Sequence, residues 1–345
     1  MTLALLVGFV AAAVVTALMT TALLPVLRRA QIVDIPVGRS LHVVPTPRGG
    51  GLAVVLGSVL AVGITLAVVW NRVGRFDLLA RFHVVMPGLA TVLAFAVVGL
   101  VEDLFSLTAT SRLCLQTGLG LFMGITVTLM TGANPWAAVP VAVCTAGLVN
   151  VTNFMDGANG LASMHAVVAA LWFVAVSLTH PVPGLPLVMM TVAGAAAGFL
   201  PFNAPRARVF LGDTGSYALG GAWSFAATIC LASDVPTSAA VAPLLVLVAD
   251  AGYTLWMRIY TGQRWYEPHK LHVYQRLVAF GWPHWAVALL VAGTAAVCSA
   301  LAWAGLVLGR QLLAWVFIVV VLIAYLRLPV ALGAGNPFHS LRPVR

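Results

Sequence analysis

The chain has 345 residues, of which 61% are hydrophobic and 8% are charged, and its mean hydropathy is +1.03. These values exclude a soluble globular domain and predict an all-α integral membrane protein that crosses the bilayer many times. Eighteen Lys and Arg residues against nine Asp and Glu residues give a net charge of +9, which suits acidic lipid head groups and anionic substrates. We expect no nucleic-acid partner.

Apolar stretches long enough to span the bilayer core, about 17 to 25 residues each, predict about eleven transmembrane helices, or ten if a short one is not counted. They lie near residues 3–27, 51–70, 84–101, 113–131, 136–152, 161–179, 187–203, 214–232, 239–259, 285–308 and 312–328. No internal repeat or break in composition divides the chain. We therefore expect a single membrane-embedded domain over residues 1–345, with a loose cytoplasmic tail at 329–345.

The Lys and Arg residues are distributed unevenly between the loops. With eleven spans, fourteen of them fall on one side and four on the other. The positive-inside rule then predicts an external N-terminus and a cytoplasmic C-terminus. Five polar segments between the apolar runs all face the cytoplasm in this arrangement: VDIPVGRSLHVVPTPRGGG, GLVEDLFSLTATSR, NVTNFMDGANGLA, FNAPRARVFLGDTGS and EPHKLHVYQRL.

Asp156 and Asp213 lie beside small residues, in DGANG and GDTGS, where Gly lets backbone amides approach a ligand closely. Such loops suit phosphate and metal. Mg²⁺ is commonly held by one or two carboxylates together with substrate phosphates, and Mn²⁺ is the alternative ion. Each motif is weak when taken alone, since an Asp-Gly pair such as Asp156-Gly157 is also typical of a plain turn.

The neighbouring carboxylates of Glu102 and Asp103 directly follow a predicted helix. One could help to hold a metal while the other accepts a proton or orders a phosphate nucleophile. A simple charge pair at a helix end is the alternative. Guanidinium groups in the same predicted face favour phosphoryl transfer over ion transport, because they bind phosphate oxygens; they belong to Arg39, Arg48, Arg206, Arg208 and Arg276.

Further polar residues complete the candidate site. His269 and His272 suit hydrogen bonding to a substrate phosphate better than zinc binding, because no Cys lies in any predicted cytoplasmic loop; His42 is a similar candidate. Asp250 lies inside a predicted span, where an ionised carboxylate is costly, so it is either a site residue or a member of a structural pair. Neutral groups for a nucleobase, ribose or sugar amide come from Asn153, Asn159 and Asn203.

These motif strings, in this order over residues 34–276, resemble the polyprenyl-phosphate N-acetylhexosamine-1-phosphate transferases, the MraY and WecA superfamily or glycosyltransferase family 4. DIPVGRSLHVVPTPRGGG and HKLHVYQRL look most like its WbpL-type branch. The resemblance implies an MraY-like fold and an Mg²⁺-dependent reaction on the cytoplasmic face. There, undecaprenyl phosphate attacks the β-phosphorus of a UDP-N-acetylhexosamine or its 6-deoxy form, giving polyprenyl-diphosphate-sugar and UMP. Such a step initiates O-antigen or another surface polysaccharide.

The resemblance also implies roles for individual residues. Asp213 would be the principal Mg²⁺ ligand, assisted by Asp156, and Asp103 with Glu102 would lie near the lipid phosphate. The donor diphosphate would be bound by His269, His272 and Arg276. The remaining matches would contribute to substrate binding, and they are Arg48, Asn153, Asn159, Asn203 and Asp250.

Two positions depart from the family pattern. Glu102 stands where the family usually has Asp, which places more weight on Asp103. Asn159 replaces the Asp of the MraY branch, which argues against a UDP-muramoyl-pentapeptide donor. A covalent intermediate on Asp103 is conceivable, but direct attack is preferred because the lipid phosphate is already an adequate nucleophile.

Two other functions are weighed against this one. A cation- or proton-coupled transporter would be expected to show several intramembrane polar residues and an internal repeat, whereas only Asp250 qualifies and no repeat is visible. A CDP-alcohol phosphatidyltransferase would need Ala-Arg two residues after its Asp-Gly and two further spaced Asp residues. Here Asp156 and Gly157 precede Ala158-Asn159-Gly160. A homodimer is compatible with the sequence.

Overall fold

A computed structural model describes residues 2–36, 41, 44–69, 75–264, 267 and 269–334, with the backbone alone for 69 and 75–81. Most of this part of the chain is helical. The α-helices are α1 (Thr2–Arg29), α2 (Gly51–Val69), α3 (Arg75–Phe105), α4 (Ala109–Thr131), α5 (Ala138–Phe154), α6 (Leu161–Thr179), α7 (Leu185–Asn203), α8 (Gly212–Ala232), α9 (Thr237–Val241), α10 (Leu245–Tyr260), α11 (Val273–Ala279), α12 (His284–Leu308) and α13 (Gln311–Ala331). Two short strands, β1 (Val33–Asp34) and β2 (Thr46–Pro47), pair antiparallel.

Ten helical segments of the described chain are long and apolar enough to cross a membrane. One of them combines α9 and α10 as Thr237–Tyr260. The span predicted near 214–232 forms α8, which is not among the ten. The predicted fold class, an all-α protein with ten to eleven membrane helices, is therefore confirmed.

Several helix boundaries differ from those predicted. Helix α3 continues to Phe105, so Glu102 and Asp103 lie within its last turn instead of following it. Helix α4 starts before the predicted residue because the Thr108 side chain accepts a hydrogen bond from the Ser111 backbone N–H, as an N-cap does. Helix α13 continues to Ala331, past the predicted start of the tail, and residues 335–345 lie outside the described part.

Helix α8 lies at the centre of the bundle. It packs against α3 and α5 along its length, while α7 packs between α1 and α6, and α12 packs against α6 and α13. Seventeen of the 21 residues of α8 are buried, many of them Gly, Ala or Ser, which allow helices to approach closely in a membrane. The GDTGS motif, which forms the first turn of α8, therefore begins a helix that is surrounded by protein.

The span formed by α9 and α10 is interrupted by a 3₁₀ turn at Ala242–Leu244. Backbone groups freed by such a break need partners, because the hydrocarbon core offers no water. His165 of α6 donates from Nε2 to the Pro243 carbonyl oxygen at 2.7 Å, and Trp172 donates from Nε1 to the Ala239 carbonyl oxygen at 2.8 Å. Side chains of α6 thus stabilise the broken span from which Asp250 projects.

Candidate active site

The segment before α2 and the segment before α8 are joined by backbone hydrogen bonds. Phe210 N–H donates to the Pro47 carbonyl oxygen at 2.8 Å, and Gly50 N–H donates back to the Phe210 carbonyl oxygen at 2.9 Å. Gly51 N–H continues the pattern at 2.7 Å from the Leu211 carbonyl oxygen. The PTPRGGG segment is therefore held beside the start of α8, which places Arg48 over the GDTGS motif.

Asp103 caps the first turn of α8 from a neighbouring helix. Its Oδ1 accepts from the Asp213 backbone N–H at 3.0 Å, and its Oδ2 accepts from the Thr214 N–H at 2.8 Å and the Thr214 hydroxyl at 2.7 Å. A carboxylate in this place satisfies helix N–H groups that otherwise lack partners and stabilises the positive end of the helix dipole. Gly212 adopts a φ of 76°, and a Cβ there would lie 3.1 Å from the Asp103 Oδ2.

Arg48 connects the two aspartates of this site. Its Nε lies 2.8 Å from Oδ1 of Asp103 and its Nη2 lies 2.6 Å from Oδ2 of Asp213. Burial lowers the pKa of Arg48, but the charges of Asp213 and Asp103 together outweigh this effect, so the pKa is raised above its ordinary value. Asn153 completes the contacts of Asp213 by donating from Nδ2 to Oδ1 at 2.6 Å and to the Ser216 hydroxyl at 2.9 Å.

Asp156 lies in the turn between α5 and α6, close enough to interact electrostatically with Asp213. Its pKa is raised well above the usual value, first by burial and then by the charge of Asp213. Within the described residues, no group of three or more His, Cys, Asp or Glu side chains forms a metal-binding set. The Mg²⁺ expected at Asp213 and Asp156 stays a prediction; such an ion needs few protein carboxylates and would relieve the repulsion between these two.

Glu102 points to a different neighbour from Asp103. Its Oε1 pairs with Arg112 Nη1 at 3.0 Å, and its Oε2 accepts from the Leu107 backbone N–H at 2.8 Å. Both contacts fix the turn between α3 and α4. The catalytic role predicted for Glu102 remains a prediction, and its contacts are those of a residue that holds this turn in place.

Asn203 and Asn159 connect the third and fourth polar segments. Asn203 is buried, accepts from the Gly160 backbone N–H at 2.8 Å and donates to the Val209 carbonyl oxygen at 3.1 Å. Asn159 donates from its side chain to the Pro205 carbonyl oxygen at 3.4 Å. The polar groups of Asn203 are thus engaged with backbone, whereas Asn159 is partly exposed beside Asp156.

The histidine-containing segment packs against the DGANG motif through Tyr274. The Tyr274 hydroxyl donates to the Phe154 carbonyl oxygen at 2.8 Å, and a Cβ at Gly157 would lie only 2.2 Å from that hydroxyl. The rings of His269 and His272 are 4.8 Å apart. Arg276 follows one turn later on α11 and is buried.

Asp250 is buried at the opposite side of this segment. It has no exposed surface, and its carboxylate accepts from the His272 ring, the Val273 backbone and the Tyr325 hydroxyl. Asp250 was expected to be either a site residue or a member of a structural pair, and these contacts match the structural pair. They give no support to the predicted substrate binding.

The five polar segments therefore meet at one end of the bundle. Several residues that matter there were not singled out from the sequence. Thr214 and Ser216 could have been found, since both follow Asp213 within GDTGS, and Tyr274 lies within the quoted histidine-containing motif. Arg112 and Tyr325 gave no signal beyond an ordinary charge and an ordinary aromatic residue. Arg39 and His42 lie outside the described residues.

Comparison with known proteins adds independent information. A model of the family described as "Glycosyl transferase family 4" matches residues 85–232, which contain the Glu102-Asp103 pair and the DGANG and GDTGS motifs. A probable undecaprenyl-phosphate N-acetylglucosaminyl 1-phosphate transferase of Bacillus subtilis is 27% identical over 81% of this chain and 80% of its own length.

Two further relatives are more similar in identity. A decaprenyl-phosphate N-acetylglucosaminephosphotransferase of Mycobacterium tuberculosis is 30% identical over 83% of this chain and 78% of its own length. A phospho-N-acetylmuramoyl-pentapeptide-transferase of a Synechococcus species is 33% identical over 84% of this chain and 88% of its own length. With this identity over most of both chains, and with the family's motifs gathered around one helix end, the protein belongs to glycosyl transferase family 4.

Proposed function

We propose that this protein transfers a sugar-1-phosphate from a UDP-N-acetylhexosamine, or its 6-deoxy form, to undecaprenyl phosphate. A phosphate oxygen of the lipid forms a bond to the β-phosphorus of the donor, the bond from that phosphorus to the bridging oxygen breaks, and UMP leaves. The product, polyprenyl-diphosphate-sugar, would initiate O-antigen or another surface polysaccharide. The observation that carries this proposal is the contact of Arg48 with both Asp103 and Asp213 at the start of α8.

The charges around α8 suit two phosphorylated substrates and a divalent cation. Among the described residues of this cluster, the guanidinium of Arg48 lies beside the carboxyl groups of Asp103 and Asp213, and Asp156 interacts electrostatically with them. A cation bound there would favour the ionised form of Asp156, whose pKa is raised by burial and by the charge of Asp213. Mg²⁺, or Mn²⁺ in its place, would reduce the repulsion between the lipid phosphate and the donor diphosphate. Asp213 and Asp156 would hold it, while Asn153 keeps the Asp213 carboxylate in one orientation.

The contacts of Asp103 favour direct attack by the lipid phosphate. Both of its oxygens already accept hydrogen bonds from α8, and one also pairs with Arg48. A carboxylate engaged in this way is a poor nucleophile, because attack would require it to lose these partners. In this proposal Asp103 orients α8 and Arg48, and the reaction needs no covalent enzyme intermediate.

The proposed location is the bacterial inner membrane, with the site on the cytoplasmic face. The excess of Lys and Arg on the loops of that side supports this orientation. The cytoplasm is also where a soluble UDP-sugar would meet a lipid phosphate at the bilayer surface. The three relatives described above are all named as transferases, so a transporter gains no support from them.

The test is release of UMP by the purified protein in detergent, with undecaprenyl phosphate, Mg²⁺ and a panel of UDP-N-acetylsugars. We expect one or more donors to give UMP and lipid-linked sugar, and chelation of Mg²⁺ to stop the reaction. Asp213→Asn is expected to lower kcat/KM by on the order of a hundredfold or more, because it removes the proposed cation ligand.

Asp234→Asn is the matched control, because Asp234 lies just beyond the opposite end of α8. It is expected to stay within about twofold of wild type, as surface changes away from a site usually do. Failure of every donor would overturn the transferase proposal. Full Mg²⁺-dependent activity in Asp213→Asn would overturn the cation assignment alone.

A further inference from the structure

A buried polar cluster joins the last helix of the protein to the histidine-containing segment. Asp250 of α10 is at its centre, with 0% of its surface exposed. Its Oδ1 lies 3.1 Å from Nδ1 of His272 and accepts from the Val273 backbone N–H at 2.9 Å. Its Oδ2 accepts from the hydroxyl of Tyr325 in α13 at 2.8 Å. One carboxylate therefore links three separate segments of the chain.

The contact with Asp250 sets the tautomer of His272. A carboxylate at Nδ1 favours the ring form that carries hydrogen on Nδ1, so Nε2 is the nitrogen that remains for a ligand. The ring itself is held between aromatic neighbours, with Tyr274 at 5.8 Å and Phe154 at 6.4 Å between centroids. Because Tyr274 also bonds to the end of α5, this ring is placed relative to the DGANG motif.

Tyr325 holds the other oxygen of the same carboxylate. Its hydroxyl donates to Oδ2 at 2.8 Å, and only 4% of its surface is exposed. Without this hydroxyl, a buried carboxylate oxygen would lose its hydrogen bond, and the carboxylate would turn towards its remaining donors. Such a turn would change the position of the imidazole that Oδ1 holds.

We propose that Tyr325 is a positioning residue for sugar-phosphate transfer, which acts through Asp250 to fix the orientation and tautomer of His272. The inference rests on the proposed function, in which His272 contacts the diphosphate of the UDP-sugar. Tyr325 would not touch substrate. It would instead keep Nε2 of His272 directed towards the donor.

A double-mutant cycle with Tyr325→Phe and His272→Gln tests this coupling. Phe keeps the ring of Tyr325 and removes only the hydroxyl. We expect Tyr325→Phe to lower kcat/KM for the UDP-sugar about tenfold, mainly through a higher KM for the donor, with the KM for lipid phosphate unchanged. In the His272→Gln background the same substitution should have almost no further effect on kcat/KM.

Tyr260→Phe provides the matched control, because Tyr260 lies at the end of α10 with 60% of its surface exposed. It is expected to match wild type. Equal activity of Tyr325→Phe and wild type would overturn the inference. Equal losses from Tyr325→Phe in the wild-type and His272→Gln backgrounds would also overturn it, since a purely structural role would act independently of His272.

The ring state can be read without turnover, by NMR of protein labelled with ¹⁵N-histidine. The signal that disappears in His272→Gln is assigned to His272, and we expect it to report hydrogen on Nδ1 and to shift in Tyr325→Phe. An unchanged signal would overturn the inference whether or not the protein is active. Absence of UMP release from wild type, with the NMR shift present, would instead overturn the proposed function.

Discussion

One guanidinium, that of Arg48, joins Asp103 to Asp213, with 2.8 Å from Nε to the first carboxylate and 2.6 Å from Nη2 to the second. The two carboxylates come from different helices, α3 and α8, and Arg48 comes from the segment before α2. Because Nε and Nη2 lie on the same rigid plane, this pairing fixes the distance and angle between the two acidic groups.

Replacing Arg48 by Lys should therefore impair the site although the charge is kept. A single ammonium cannot reproduce two hydrogen bonds from one plane to two carboxylates, so we expect Arg48→Lys to lower kcat/KM by at least about tenfold. Arg310→Lys is the control, because Arg310 is exposed between α12 and α13 and lies in none of the polar motifs. Steady-state UMP release measures both. Equal activity of the two variants would contradict the role given to Arg48.

The cap that Asp103 provides can be separated from a chemical role. Thr214→Val removes one hydroxyl donor to Asp103 and should lower the free energy of unfolding by about 1 kcal/mol, whereas Asp103→Asn weakens several contacts and should cost about 2 kcal/mol. Denaturant or thermal unfolding in detergent measures both. If Asp103→Asn abolished activity with no change in stability, Asp103 would be acting on the substrates rather than on α8.

The packing of Tyr274 against Gly157 predicts a substitution and its compensation. Gly157→Ala would place a Cβ 2.2 Å from the Tyr274 hydroxyl, so the DGANG motif or α11 must move. We expect reduced activity and a lower melting temperature. Adding Tyr274→Phe removes the clashing oxygen and should restore part of both.

Gly118→Ala is the control for this pair. Gly118 lies in α4 with open space where its Cβ would be, so the substitution should be neutral or slightly stabilising. Thermal unfolding and UMP release are the measurements. A Gly157→Ala variant with wild-type activity and melting temperature would contradict the close packing of these segments.

His269 should influence the pH dependence of stability. Its pKa is lowered to about 4, first by burial and then by electrostatic interaction with His272 and Arg258, while Asp250 opposes the shift. Because the folded-state pKa is below that of the unfolded chain, about 6.5, neutral His269 favours folding above pH 6.5. This contribution is lost progressively as the pH falls towards 4.

We therefore expect the wild-type melting temperature to fall more between pH 7 and pH 5 than that of His269→Asn. Thermal unfolding at several pH values measures the difference. Parallel curves for the two proteins would contradict the lowered pKa. Between pH 6 and 9, where His269 stays neutral, His269→Asn should change the height of the pH–activity profile but not its shape.

Much of this architecture could be predicted because the chain is so apolar. Each long hydrophobic run has one low-energy solution in a bilayer, a helix, and the uneven Lys and Arg count separates the loops into two groups. Polar motifs in such a chain are few. It could therefore be predicted from the sequence that these motifs meet at one site. Asp213, Asp103 and Asn153 could likewise be predicted as residues of that site.

The different partners of adjacent residues could not be predicted from the sequence. Glu102 and Asp103 lie next to each other, but successive residues on a helix point about 100° apart. Once α3 continues through this pair, Asp103 faces α8 and Glu102 faces Arg112. The sequence shows two carboxylates together, and only the helix boundary determines that they serve different partners.

Contacts between residues far apart in the sequence could not be predicted either. Tyr325 follows Asp250 by 75 residues and lies in a helix whose other residues are mostly apolar. A single tyrosine there is typical of core packing or of the membrane interface. Its hydrogen bond depends on how α13 packs against α10, which no local pattern encodes.

The burial of α8 has a consequence for how the protein enters the membrane. This helix carries Asp213 in its first turn and is not among the segments apolar enough to cross by themselves. Its stable residence in the bilayer then depends on neighbours that shield it from lipid. We expect α2, α3 and α5, which precede it in the chain, to be inserted first, so that α8 enters a protein-lined space instead of hydrocarbon. The proposed active site would therefore form only after the helices that surround α8 have been inserted and packed together.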